Sequence, residues 1–196
     1  MPSLSWRIAA FVTLILTISG VRAQSPCAEG ESRQCVMGIC ACVADELLES
    51  SREAAGLLLE QWLINSRDES IAGALPMPAE LRAKLAPLVD KKVLDAARYK
   101  IDESSDLNLA NLNLHYGDLI GNQIAAVTLI NVIVFRDPTA AADPAIWAHE
   151  LHHVRQFREW GVHDFAMRYA RDFHEVEDPA YAFAALYRNR ASPTKR

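Results

Sequence analysis

The chain has no excess of basic residues. Lys and Arg number 20 against 25 Asp and Glu, for a formal net charge of -5. No basic stripe crosses it, and only Pro193 to Arg196 is locally basic, as a terminal tail. The electrostatic footprint of a nucleic-acid binder is therefore missing, and no nucleic-acid partner is expected. A second long apolar run is also missing, which argues against a multi-span membrane protein. No internal repeat or low-complexity tract occurs. Cysteine is missing from everything after residue 42, so no thiol lies in the region where the chemistry is expected.

The single apolar run sits at the N-terminus. Arg7 supplies positive charge, Ile8 to Ile18 is apolar, and Val21-Arg22-Ala23 places small residues at both cleavage-recognition positions. Residues 1–23 thus read as a signal peptide, with cleavage before Gln24. The expected location is the bacterial periplasm or the exterior, with no membrane association after cleavage. Cys27 follows Ser25-Pro26, which is not the setting of a lipidated cysteine. About 170 residues remain, enough for one domain with a real core. The four cysteines are Cys27, Cys35, Cys40 and Cys42. In an exported chain such a cluster favours disulfides, and four cysteines allow three pairings. Cys40 and Cys42 are close neighbours, so each is expected to pair backward, to Cys27 or Cys35.

Periodicity predicts a helix over Ala44 to Asn65, with Leu47, Leu48, Leu57, Leu58, Trp62 and Leu63 as core residues. Ser66 to Ser70 reads as a polar linker, Ala79 to Val89 as a short helix, and Val93 to Ile101 as a weak strand. Asn108 to Tyr116 alternates as a strand would. Ala125 to Phe135, rich in branched residues, reads as the best strand. An exposed edge there could hydrogen-bond an extended peptide. A last helix is expected from Asp178 to Arg190.

One segment carries chemistry. His149-Glu150-Leu151-His152-His153 contains His-Glu-x-x-His. At i and i+4, His149 and His153 leave one helix face and can grip one metal ion. Glu150 can take a proton from water at that metal. Trp147, Ala148, Leu151, Val154 and Phe157 recur near a 3.6 period, Asp143-Pro144 reads as an N-cap with Pro at the first helical position, and Gly161 is placed to end the helix. His152 should point about 100° away from His153, as a surface residue or a supporting neighbour.

A catalytic zinc usually takes three protein ligands. The third-histidine continuation fails, because Gln156 stands where Gly is required and Glu159 where His is required. A carboxylate on a following helix is the alternative. Glu177 is the candidate, with Glu175, Asp178 and His174 as rivals. Pro179 raises the question of whether Glu177 rides in that helix or precedes it.

These residues carry a family resemblance. His149 to Gln156, Gly161, Phe165, Tyr169 and Glu177-x-x-Ala180-Tyr181 resemble the zincin-like domain named for extracellular contractile injection systems. Leu75-Pro76 and Val127-Thr128 to Phe135 also fit, so the resemblance runs from about Ile71 to Leu186. It implies a compact α+β zincin-like fold, mainly helical, with a small sheet beside the zinc helix. Residues 24–70 then form a cysteine-containing segment with a helix, and residues 71–196 the metallopeptidase domain. The resemblance also implies Zn2+ as cofactor, His149, His153 and Glu177 as ligands, and Glu150 as general base. The expected partner is a peptide or protein substrate. Tyr169, His163 and Tyr181 are candidates to steady the oxyanion. The rival expectation is a zinc-containing binding or structural module without turnover, attached to a secretion or injection machine.

Overall fold

The computed structural model describes residues 27–36, 39–101 and 125–191. The proposed signal peptide, the strand expected over Asn108 to Tyr116 and the basic tail lie outside the described residues. The chain divides into two compact units between Ala44 and Asp45.

The first unit is an antiparallel hairpin of β1 (Glu31–Val36) and β2 (Ile39–Ala44). A disulfide joins Cys27, ahead of β1, to Cys42 in β2, with Cα atoms 5.5 Å apart. This is one of the two backward partners expected for Cys42. Cys35 and Cys40 are Cα partners across the register; their side chains lie outside the described residues.

The second unit is α+β and mainly helical. It begins with α1 (Asp45–Ser70), a single 26-residue helix. The expected linker at Ser66 to Ser70 is therefore its last turn, which ends on the buried Ser70. The core expected from its leucines and tryptophan holds in part: Leu63 is buried and Trp62 packs half-buried against the core. Leu47, Leu57 and Leu58 are exposed, and the buried positions are Gly56, Leu63 and Ser70. Their seven-residue spacing draws a narrow stripe along one side of the helix. Gly56 explains the narrowness. A Cβ there would lie 2.5 Å from Met167 Sδ and 3.3 Å from the Met167 backbone, so the two helices approach at a point without a side chain. This packing places α1 with the second unit rather than with the cysteine segment.

After β3 (Leu75–Pro76) come α2 (Ala79–Leu85) and α3 (Lys91–Ala96), where a longer helix and then a strand were expected. Pro87 cannot donate to a continuing helix, and the Asp90 carboxylate accepts from Lys92 N–H to start a new one. Only Arg98–Ile101 of the expected strand is extended, as β4. The run Ala125 to Phe135 is not one strand but a hairpin of β5 (Ala126–Leu129) and β6 (Val132–Phe135). Its two-residue turn, Ile130-Asn131, carries no glycine. Ile130 takes φ 59°, an uncommon conformation for a β-branched residue. Asn131 fastens the turn: its side chain accepts from Arg67 Nε and donates to the Ala96 carbonyl, and its own carbonyl accepts from Arg98 N–H.

The sheet order is β3-β4-β6-β5, with β4 and β6 parallel and the other pairs antiparallel. All four β6 residues are buried, and among the described residues β3 and β5 are the outer strands of the sheet. A short helix α4 (Pro138–Ala142) leads into α5 (Pro144–Arg171). Asp143 caps α5 by accepting from Ala145 N–H, with Pro144 at the first position, as the sequence predicted. The arm 144–160 ends at Gly161, whose φ 82° and ψ 170° break the helix before it resumes to Arg171. The last helix, α6, spans Phe173–Ala191. It starts five residues earlier than expected because Asp172 caps it, accepting from His174 N–H.

Two apolar clusters flank the arm 144–160. One gathers Trp147, Leu151 and Val154 with β6 and the α2–α3 region; Trp147 packs on Phe135 at 4.7 Å and Tyr99 at 5.3 Å, and its Nε1–H donates to the Ala141 carbonyl. The other joins Phe157 and Phe165 to Leu63, Leu129 and Val176. The helix is thereby gripped on both sides.

Candidate metal centre

His149 and His153 lie one turn apart on the arm 144–160, with their Nε2 atoms 3.0 Å from each other. Glu177 arrives from α6. Its Oε2 is 3.2 Å from His149 Nε2 and 3.5 Å from His153 Nε2. Because α6 begins at Phe173, Glu177 rides within the helix, and Pro179 is accommodated inside it. The three side chains form a group that could hold a metal ion.

The donor set fits a zinc ion. Two imidazoles and one carboxylate are a known catalytic ligand combination, and bonds near 2.0–2.2 Å in a tetrahedron separate the ligand atoms by about 3.3–3.6 Å. The triangle of 3.0, 3.2 and 3.5 Å lies at or slightly inside that edge. The electrostatics favour positive charge at the same point. Burial alone would raise the Glu177 carboxyl, but hydrogen bonds from both imidazoles outweigh it and hold the group well below the usual carboxylate range. Burial opposes charge on His153, yet Glu177, Glu150 and Gln156 raise it above its ordinary value.

The rivals for the third position are engaged elsewhere. Glu175 pairs with Arg168, and Asp178 with His174, on exposed surface. Glu150 is buried, and its Oε2 accepts from Thr128 Oγ1 at 2.7 Å. Thr128 stands on edge strand β5, so the edge strand and the acid are locked together. Gln156 is 2% exposed; its Oε1 lies 2.7 Å from His153 Nδ1, and its Nε2 donates to the Val176 carbonyl at 2.9 Å. Sequence reasoning missed both supports. Gln156 was counted within the family resemblance and as a departure from a longer histidine pattern, but it was given no role, although i+3 from His153 puts it on the same face. Thr128 is the lone hydroxyl in an apolar run, the one signal it offered.

Of the candidates for oxyanion support, His163 is exposed and pairs with Glu60 of α1 at 2.8 Å. Tyr169 stacks on Phe165 in the second apolar cluster. Tyr181 is the phenol beside the triad, its ring centroid 4.6 Å from that of His149. Burial, then the charges of Glu177 and Glu150, raise its pKa. His152 is not a surface residue. It is buried against Phe183 and under the Arg155 guanidinium, with its pKa lowered to about 4, first by burial and then by the Arg155 charge. It stands outside the ligand group.

No helix among the described residues is long and apolar enough to cross a membrane. No curated protein and no solved structure matches the chain. Residues 76–161, from the second residue of β3 to the corner at Gly161, match the model of the eCIS core domain. That span is shorter than the resemblance expected and stops before Glu177, so the third corner of the triad comes from outside it. What matches is the sheet and the His-Glu-x-x-His arm, and the match supports the eCIS core domain family for this part of the chain.

Proposed function

We propose that the chain is an exported, zincin-like zinc metallopeptidase that cleaves peptide bonds in the periplasm or outside the cell. The observation that carries the reading is the convergence of His149, His153 and Glu177 to mutual distances of 3.0–3.5 Å, beside a buried Glu150. Zinc held by these three residues would lower the pKa of water and polarise a peptide carbonyl.

The protein's own groups account for the rest. Glu150 accepts a proton from the attacking water and returns it to the leaving nitrogen. Its Oε2 is fixed by Thr128, so the acid is oriented before substrate arrives. The free edge of β5 can hydrogen-bond an extended peptide beside Glu150. Tyr181, next to His149, is suited to hydrogen-bond the oxygen on which charge develops. The triad side chains are 7–17% exposed, which leaves a side open to a substrate.

The test pairs two variants. Wild type is expected to purify with one zinc and to cleave an unfolded protein substrate. His149→Ala is expected to lose the metal. Glu150→Gln is expected to keep the metal and to lose cleavage by about 10²–10⁴-fold, the usual contribution of a general base. Equal zinc in wild type and His149→Ala would refute the metal centre. Zinc binding with no cleavage by wild type would favour the non-catalytic module of an injection or secretion machine.

A further inference from the structure

The sequence pattern leaves Gln156 without a task, yet it is among the most buried polar residues of the chain. Its two ends bind different kinds of group. The Val176 carbonyl, 2.9 Å from Gln156 Nε2, can only accept a hydrogen bond. The amide nitrogen must therefore face Val176, and the amide oxygen must face His153 Nδ1, 2.7 Å away. That oxygen can only accept, so Nδ1 must carry a proton. In the neutral ring the lone pair then falls on Nε2, the atom that meets His149 and Glu177.

We propose that Gln156 is a positioning residue that sets the tautomer of His153 and, through the same amide, docks the helix bearing the third ligand. The inference rests on the metal-centre reading and concerns how that centre is assembled. Val176 immediately precedes Glu177, so one side chain fixes both the ring of one ligand and the backbone beside another. Neither group is exposed to solvent that could substitute: His153 and Val176 are buried. The glutamine links the first arm of α5 to α6 across the corner at Gly161, at the residue next to the carboxylate. A ligand imidazole that donates its other N–H to a carbonyl is oriented and made more basic, and losing such a partner typically weakens metal binding.

The test uses the full chain. Gln156→Met removes both polar ends at similar volume and is expected to weaken zinc binding about 10–100-fold in chelator competition. Gln156→Glu keeps an acceptor at His153 Nδ1 but loses the donor to Val176, so it is expected to lose clearly less affinity than Gln156→Met. Melting of the metal-free proteins serves as the control, since a residue that merely bridged two helices would lower stability and affinity alike in both variants. Ring-nitrogen NMR of metal-free wild type, at a pH where the ring is neutral, is expected to find the His153 proton on Nδ1. Equal affinity of wild type and Gln156→Met, equal loss in both variants, or a proton on Nε2 would overturn the assignment. A wild-type chain that binds no zinc would overturn the metal-centre reading instead, and the nitrogen spectrum would still decide the tautomer.

Discussion

The two long helices of the second unit invert the usual relation between polarity and burial. Helix α1 is rich in leucine, yet Leu47, Leu57 and Leu58 are 50–72% exposed, and it meets Met167 of α5 at a glycine. The arm 144–160 carries three histidines, two glutamates and a glutamine, yet His152, His153, Glu150 and Gln156 are at most 6% exposed. Burying such groups costs stability unless each finds a partner. Here the partners are specific: Thr128 for Glu150, Gln156 for His153, the Val176 carbonyl for Gln156. A helix built for stability alone would have exchanged these interiors. The difference marks the arm 144–160 as the element whose polar content the fold works to accommodate.

Three substitutions would break or sharpen the contrast. The largest effect is expected from Trp147→Ala on the buried arm. Removing a side chain that is wholly enclosed and hydrogen-bonded to the Ala141 carbonyl should lower unfolding free energy by about 3–5 kcal/mol, read by urea denaturation. Thr128→Val keeps the shape and removes the hydroxyl. Loss of a hydrogen bond to a buried carboxylate should cost about 1.5–3 kcal/mol and lower kcat while zinc content stays at the wild-type value. An unchanged kcat in this variant would separate Glu150 orientation from catalysis. The smallest effect belongs to α1. Leu58→Gln should change stability by no more than about 0.5 kcal/mol, because the side chain is 72% exposed. A larger loss would mean that the leucine face of α1 is covered in solution, and the contrast between the helices would narrow.

Much of the arm 144–160 was legible in the sequence. Its cap at Asp143, its stop at Gly161 and its pairing of His149 with His153 on one face are local signals, fixed within a few residues of chain. The elements that failed are those decided by distant partners. Ala125 to Phe135 bends into a hairpin at Ile130-Asn131, a pair with no turn glycine, because Asn131 is held by Arg67, Ala96 and Arg98. The burial of α1 runs through Gly56 against Met167 and through Leu63, while Leu47, Leu57 and Leu58 stay outside it. Glu177 was a candidate among four acidic or imidazole groups, and its separation from Glu175 and Asp178 depends on where α6 begins, which Asp172 decides. Thr128 was invisible as a functional residue because its partner Glu150 is 22 residues away in sequence, and half of the role of Gln156 was hidden because Val176 is 20 residues away, although His153 lies only three residues before it.

The corner at Gly161 bears on how this protein can drift over generations. Nothing lies within 4 Å of where a Cβ would stand, so the space is open to a mutation. The torsions are not: φ 82° with ψ 170° belongs to a region that only glycine occupies without a penalty of about 1–3 kcal/mol. Any replacement would press the bend toward a continuous rod and swing the carboxylate-bearing helix off its mark. A position that touches no other side chain is thus one of the least replaceable in the chain.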